Sequence, residues 1–240
     1  MKGNDSRAFA KYYDQIYLTM KDYQREAMIV QGVIKQFEKK QSNTLLDVGC
    51  GTGEHLKYLC SDLQCMGLDI SSDMIEIAGK KVPEATFEVA SMVDFSLTEK
   101  FDVVVCLFSS IGYVQTFHAL VKTLGNFYKH LNDKGLAIVE PWVFKKDFKE
   151  GHIGLDTYED EELKLARMGT SRIVGSKWSI FLHYLIGQKG EVEYAEEVHE
   201  MLAIDHEDYV SAFEEAGFKD TQYLTENLWE GCRGLFVATR

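Results

Sequence analysis

The stretch Leu45–His55, "LLDVGCGTGEH", runs from a short apolar segment into Gly49, Gly51 and Gly53. An apolar run of strand length that meets closely spaced glycines predicts a strand ending in a tight loop, where backbone can approach a ligand closely. A helix over Gly53–Cys60 would then present free N–H groups and a positive dipole end to an anion. The dinucleotide fingerprint G-x-G-x-x-G fails at its third glycine. Counting from Gly49 and Gly51, that place falls on Glu54, a carboxylate that would repel a pyrophosphate.

Asp69, 22 residues after Asp47, closes a second apolar run in "GLDIS" and stands where a carboxylate accepts hydrogen bonds from two ribose hydroxyls. An adenosine without phosphates, carrying an amino-acid carboxylate for the helix end, is S-adenosylmethionine (SAM). That is the cofactor the loop predicts.

Outward from the loop, Leu45–Val48, Cys65–Asp69, Thr86–Val89, Phe101–Leu107 and Gly135–Glu140 read as buried strands. Helical patterns separate most of them: Ser71 and Ser72 offer an N-cap to the segment through Ala78, and Phe117–Leu131 carries apolar residues at helical spacing before "NDKG". Such alternation predicts parallel strands joined by right-handed crossovers, a doubly wound α/β sheet. After Pro141 the pattern changes. "KWSIFLHYLIG" and "EVEYAEEVHEMLAI", separated by "QKG", predict an antiparallel hairpin inserted as a cap. Helical order returns in "DHEDYVSAFEEAGF", and "KDTQYLT" and "GLFVATR" supply two last strands. The expected organisation is one domain, with an N-terminal helical cap over 1–40, a cofactor-binding core over 41–141, an antiparallel cap over 142–205 and final sheet elements over 206–240.

Composition narrows the function classes. The 240 residues carry a formal charge of −12, which repels polyanions and argues against a nucleic-acid binder. "MKGNDSRAFAKYYDQIY" lacks the apolar run of a signal peptide, and no stretch is long enough to span a bilayer, so a soluble, cytoplasmic protein is expected. The five cysteines form neither CxxC pairs nor a Cys/His cluster, so no metal is expected and the thiols read as reduced.

"LLDVGCGTG", "GLDIS", "FDVVVCLFS" and "LNDKGLAIVE" resemble the successive motifs of class I SAM-dependent methyltransferases. The resemblance implies a seven-stranded Rossmann-like sheet. It assigns Gly49 to the methionine part of SAM, Asp69 to the ribose, Ile70 to the cofactor site, Ser91 and Met92 to the adenine, Leu107 to the adenine side and Tyr23 to the neighbourhood of SAM. Ser91 stands where many members carry an acid, so its bond to the adenine amine is that of a neutral acceptor. "YYDQIYLTMKDYQREA", "LFSSIGYVQT", "VEPWVFKKDF" and "CRGLFV" further resemble the N,N-dimethyltransferases of nucleotide-linked amino sugars of the desosamine and mycaminose type.

That closer resemblance implies an acceptor pocket at the carboxyl edge of the sheet, lined by Tyr17, Ser110, Tyr113, Glu140, Pro141 and Trp142. Phe108 and Phe148 read as core packing. Arg233, between glycines, is the first candidate for the acceptor's phosphates. Arg172 and Arg167, with Lys145 and Lys146, are weaker candidates. Methyl transfer from a sulfonium is an in-line displacement that requires an unprotonated amine, so a nearby carboxylate, tyrosine or imidazole is sought. Tyr17 and Glu140 are the candidate catalytic groups, with His199 in reserve. His130 reads as a helix cap, His118 as exposed, and His183 as a second histidine of the roof. Two other readings stand beside this one: methylation of another small amine, phenol or carboxylate, and a non-catalytic SAM-binding protein. The cap suits either a pocket roof or a dimer face, so the chain is expected to be a monomer or a homodimer.

Overall fold

The computed structural model describes residues 6–225, 228–229 and 231–240. Two helices lead, α1 (Ser6–Tyr17) and α2 (Tyr23–Phe37), the second capped by Asp22, whose carboxylate accepts the Arg25 N–H at 2.9 Å. The core then alternates β1 (Thr44–Val48), α3 (Leu56–Leu59), β2 (Gln64–Asp69), α4 (Ser72–Lys81), β3 (Thr86–Val89), β4 (Phe101–Cys106), α5 (Phe117–His130) and β5 (Leu131–Val139). An inserted block follows, β6 (Ile153–Glu159), β7 (Leu163–Val174), β8 (Lys177–Gln188) and β9 (Glu191–Leu202). The chain finishes with α6 (His206–Glu215), β10 (Asp220–Leu224) and β11 (Leu235–Thr239).

Seven strands form one sheet in the order β10-β11-β5-β4-β1-β2-β3, in which β11 runs antiparallel to both its neighbours and the rest are parallel. The central β4, "FDVVVC", is buried throughout because helices cover both faces. Val103 and Val105 pack with Ala27, Val30 and Ile34 of α2, while Val104 and Cys106 face Leu120, Leu124 and Phe127 of α5 and Tyr209 and Phe213 of α6. The doubly wound, seven-stranded reading of the sequence describes this sheet. Strand order reverses between β1 and β4, so a crevice opens at their carboxyl ends, the usual ligand position in such sheets.

Three expectations need correction. The helix expected over Gly53–Cys60 is a single turn, α3, because Gly53 sits at φ +79°, outside helical space. Among the described residues, no long helix therefore follows the glycine loop to point its dipole at it. β5 starts at Leu131 rather than Gly135: Leu131 pairs with Phe101, and after an irregularity pairing resumes at Leu136 with Val103. Finally, the inserted cap is a four-stranded antiparallel sheet, β6-β7-β8-β9, and not one hairpin. The first two strands escape the sequence pattern because Gly154, Asp156, Arg167 and Gly169 occupy their inward positions, where alternation would call for apolar residues.

Candidate active site

The glycine loop is held open by its own strand partners. The N–H groups of Gly49 and Cys50 both donate to the Leu68 carbonyl, at 2.7 and 3.0 Å. Gly49 adopts φ +78°, and a Cβ there would lie 2.8 Å from Ser110 Cβ, so only glycine fits between β1 and the turn after β4. Gly53 similarly lets α4 approach, since its Cβ would meet Ala78 Cβ at 3.2 Å. Ser110 ties the two loops together by donating from Oγ to the Gly49 carbonyl at 3.1 Å.

A cavity with about 330 Å³ of empty space lies against this loop, lined by Tyr13, Tyr23, Asp47, Gly49, Leu107, Phe108 and Ser110 among others. Asp47, at its floor, is buried and its Oδ1 has no hydrogen-bond partner. Burial, reinforced by the nearby charge of Asp69, pushes its carboxyl up to about 7. Asp69 accepts the Gly51 N–H at 3.0 Å through Oδ2 and the Ser71 N–H at 2.9 Å through Oδ1. Burial still raises its pKa, with those N–H bonds opposing.

Further acids crowd the same rim. Glu54 binds Lys81 at 2.6 Å and leaves its other oxygen unpaired; Lys81 also binds Asp14 at 2.6 Å, and Thr52 donates to Asp14. Glu26 accepts from both Lys21 (2.8 Å) and His55 (2.9 Å), and His55 packs edge-on to Tyr23. Acids outnumber bases around the cavity. SAM fits this donor set: its sulfonium and ammonium suit an anionic wall, and its ammonium suits the orphaned Asp47 oxygen, whereas a pyrophosphate would be repelled. Tyr13, Thr52 and His55 escaped the sequence reading, although "YYDQ" and "GTGEH" contained them.

The structure gathers Tyr23, Asp47, Gly49, Gly51, Leu107 and Ser110 on this cavity. Asp69 borders it through Gly51, and Met92 reaches Gly49, its Cε lying 3.6 Å from where a Cβ would stand. Ile70 is exposed beyond the end of β2, and Ser91 accepts the Val93 N–H at 3.2 Å. Leu107 shares the cavity with the glycine loop.

The turn after β4 is unusual. Phe108 and Ser109 have φ of +49° and +58°, left-handed values that cost a residue with a side chain roughly 1–2 kcal/mol each. Glu140, at the end of β5, accepts the Phe108 N–H at 2.7 Å, and Ser109 donates to the Pro141 carbonyl at 2.8 Å. Those two bonds hold the strained turn. Burial pushes the Glu140 carboxyl up to about 7, with Lys21 and the Phe108 N–H opposing. Phe108 is not simply core packing: it lines the cavity, takes the Lys21 ammonium over its ring at 4.0 Å and meets Tyr17 edge-on at 5.0 Å.

On the roof, the inner face of the inserted sheet brings down two polar groups. Arg167, buried, binds Asp156 through Nε and Nη2 and donates from Nη1 to Tyr17 Oη at 2.9 Å. His199 pairs through Nδ1 with Tyr113 Oη at 2.9 Å and through Nε2 with Glu197 at 3.3 Å, and Glu197 also accepts from Tyr184. Burial holds the Tyr113 hydroxyl above its ordinary range, with the Tyr17, Glu197 and Asp69 charges adding. Arg167 thus stands on the crevice side of this sheet. Arg172 is exposed on the opposite face of that sheet, over the Phe181 ring at 4.7 Å, because alternation along β7 turns it away from the crevice. His183 faces outward for the same reason, paired with Tyr194 at 2.6 Å.

Trp142 packs edge-on against Trp178 at 5.5 Å, and Pro141 is buried behind the turn. His130 is no charged cap. Its Nε2 accepts the Leu97 N–H at 3.0 Å while Nδ1 faces the Asn126 carbonyl at 2.8 Å, a pattern that requires the neutral ring. Arg233 borders a second depression, with about 960 Å³ of empty space, shared with Phe144, Lys146, Phe148, Lys149 and Tyr223. Among the described residues, no group of three or more His, Cys, Asp or Glu could hold a metal ion, and no helix is long and apolar enough to cross a membrane.

A methyltransferase domain profile matches residues 45–135. The dTDP-3-amino-3,4,6-trideoxy-α-D-glucopyranose N,N-dimethyltransferase of Streptomyces venezuelae is 34% identical over 231 residues, 95% of this chain and 96% of that protein. The dTDP-3-amino-3,6-dideoxy-α-D-glucopyranose N,N-dimethyltransferase of Streptomyces fradiae is 35% identical, over 88% and 84% of the two chains. Among solved structures, Streptomyces venezuelae DesVI superposes with a TM-score of 0.87 at 31% identity over 99% of both chains. SAM-bound CalS10 from Micromonospora echinaspora, an amino pentose methyltransferase, does so with 0.85 at 28% identity over 100% and 99%. Fold, acidic cofactor cavity and full-length relatives agree: the chain is a SAM-dependent N-methyltransferase of the class I fold and belongs to the nucleotide-linked amino-sugar N,N-dimethyltransferase family.

Proposed function

We propose that the protein methylates the amine of a nucleotide-linked amino sugar. The observation that carries this reading is the pair of polar groups on the roof, Arg167 with Tyr17, whose ring meets Phe108 at the edge of the cofactor cavity, and His199 with Tyr113. When bound, SAM supplies a methyl group activated by its sulfonium. The chain's own residues then have to place an amine behind that methyl and exclude water. Tyr17 Oη already accepts from Arg167, which leaves its proton free to orient a sugar hydroxyl. Tyr113 and His199, backed by Glu197, form a relay able to take the proton that the amine sheds. Glu140 acts through the Phe108 turn as a positioning residue. Arg233, Lys146 and Lys149, with the single acid Asp147, make the second depression cationic on an otherwise acidic chain, and Tyr223, Phe144 and Phe148 add aromatic surface. A nucleotide diphosphate suits that combination.

Incubation with labelled SAM and a panel of dTDP-linked 3-amino and 4-amino sugars tests the reading. Transfer of one or two methyl groups to a member of the panel is expected. Transfer only to simple amines, phenols or carboxylates overturns the acceptor. Retention of full kcat/KM on the true acceptor by both Tyr17→Phe and Glu140→Gln overturns the roles given to these residues.

A further inference from the structure

We infer that Glu197 is a positioning residue for methyl transfer: it sets the tautomer of His199 and, through it, makes Tyr113 the acceptor that takes a proton from the incoming amine. The inference rests on the amine-methylating reading above and gives the hydrogen bonds of the roof a direction. Glu197 and His199 stand two positions apart on β9, so alternation puts both on the face that covers the crevice, where their side chains are 10% and 15% exposed. A carboxylate has only acceptors. Glu197 Oε2 accepts from Tyr184 Oη at 3.3 Å, and the Arg167 guanidinium, which has only donors, lies within reach of the same hydroxyl and keeps its proton turned toward Glu197. That Oε2 also lies 3.3 Å from His199 Nε2, so this nitrogen must carry a proton. Nδ1 of the neutral ring is then a lone pair, and the proton between it and Tyr113 Oη, 2.9 Å away, is the phenol's. Tyr113 therefore donates to His199 and turns its oxygen lone pairs to the crevice, where the charges of Tyr17 and Asp69 reach it. Tyr17 is its opposite, since it accepts from Arg167 and has a proton to give. The roof thus offers one acceptor and one donor.

An amine of ordinary basicity arrives as an ammonium and must shed one proton before its nitrogen can attack. An ammonium has only N–H donors, so it matches Tyr113 Oη and not the Tyr17 O–H. As one N–H proton passes to Tyr113 Oη, the phenol proton passes to His199 Nδ1. The N–H bonding pair stays on the nitrogen and becomes the lone pair that attacks the methyl carbon. His199 is then an imidazolium held between the Glu197 carboxylate and Tyr113, and it returns its extra proton to solvent once the product has left. The charged and titratable groups that face this relay are Glu197 on β9, Tyr184 on β8, Arg167 on β7, Tyr17 on α1 and Asp69 at the end of β2. Of these, Glu197 is the anion in contact with the ring. A carboxylate fixes the tautomer of a catalytic histidine and steadies its imidazolium in the same way in serine hydrolases.

Nitrogen-15 NMR of the acceptor-free full chain at about pH 8, with His199 assigned by comparison with His199→Gln, reads the tautomer directly. The Nε2–H form is expected. Glu197→Gln keeps the shape of the side chain and removes its charge. On the methylated acceptor its kcat should fall about 10–100-fold, with acceptor KM and SAM affinity within about twofold of wild type. The acid limb of its kcat/KM profile should move about one pH unit lower, because the imidazolium has lost its counter-charge. A purely structural loss would lower the rate without moving that limb. An Nδ1–H ring in the wild type overturns the inference, and so does a Glu197→Gln enzyme whose acid limb stays at the wild-type pH. If the variant misfolds, the wild-type tautomer decides alone. The NMR measurement uses no acceptor, so a failure of the amino-sugar reading, seen as transfer only to unrelated acceptors, is distinct from a failure here.

Discussion

Replacing Asp47 by asparagine should stabilise the cofactor-free protein at neutral and alkaline pH while weakening SAM binding. The carboxyl is buried, one oxygen is unpaired, and its pKa rises from 3.8 to about 7. A carboxyl raised on folding stabilises the native state fully below its unfolded value and loses that contribution as pH climbs through the folded value. Between pH 5 and pH 8 this one group should cost the wild type ~3 kcal/mol. The asparagine variant carries no such cost, although its unpaired amide donors cost about 1–3 kcal/mol at every pH. The difference between the two proteins should therefore swing toward the variant by ~3 kcal/mol from pH 5 to 8. For a chain of this size that is a relative gain of roughly 6–12 °C in Tm. Thermal melts at half-unit pH intervals measure it. Titration calorimetry supplies the opposing half: wild-type affinity for SAM should rise with pH up to about 7, as the carboxylate forms to receive the ammonium. The variant should lack that slope and bind ~10–100-fold more weakly at pH 8, the worth of a charge-assisted bond. Parallel melting curves for the two proteins across pH 5–8 would refute the reasoning.

Gly49→Ala must place a Cβ 2.8 Å from Ser110 Cβ at a left-handed φ, so a loss of about 2–4 kcal/mol in stability and at least tenfold in SAM affinity should appear in denaturant titration and calorimetry. Arg167→Lys cannot reproduce the fork onto Asp156 with a third bond to Tyr17; acceptor KM should rise several-fold while SAM affinity stays unchanged, and equal losses of both would remove Arg167 from the acceptor side. Asp102 behaves oppositely to Asp47. Burial works against its charge, but the Asn43 N–H and the side chains of Lys40 and Asn132 outweigh it and lower the pKa from 3.8 to about 2. Its contribution, ~2 kcal/mol, is present above pH 3.8 and is lost as pH falls through 2, so Asp102→Asn should lower stability at pH 7 and converge on wild type in acid-denaturation curves.

Much of the cofactor half was legible in the chain because its signals are local. Strand, glycines and acid succeed one another within 25 residues, from Leu45 to Asp69, and a parallel sheet buried on both faces writes itself as continuous apolar runs such as "FDVVVC". Glu54 against the third glycine position, together with Asp69 following Asp47, turned the reading from a dinucleotide to SAM. Where inward positions carry polar residues, the pattern failed. Arg167 and Asp156 in β7 and β6 are such positions, and they concealed two strands and with them the pairing of Arg167 with Tyr17.

Local sequence thus determined the sheet, the loop and the kind of cofactor, since propensity, strand length and glycine conformation act over a few neighbouring residues. Tertiary structure alone decided what each polar group does. It set Arg167 on Tyr17 across 150 positions and His199 on Tyr113 across 86, and it turned Arg172 and His183 to the outside. The reason is physical: a side chain's role depends on which face of which sheet it occupies and on the partners burial leaves within reach, and both are set only when distant segments pack.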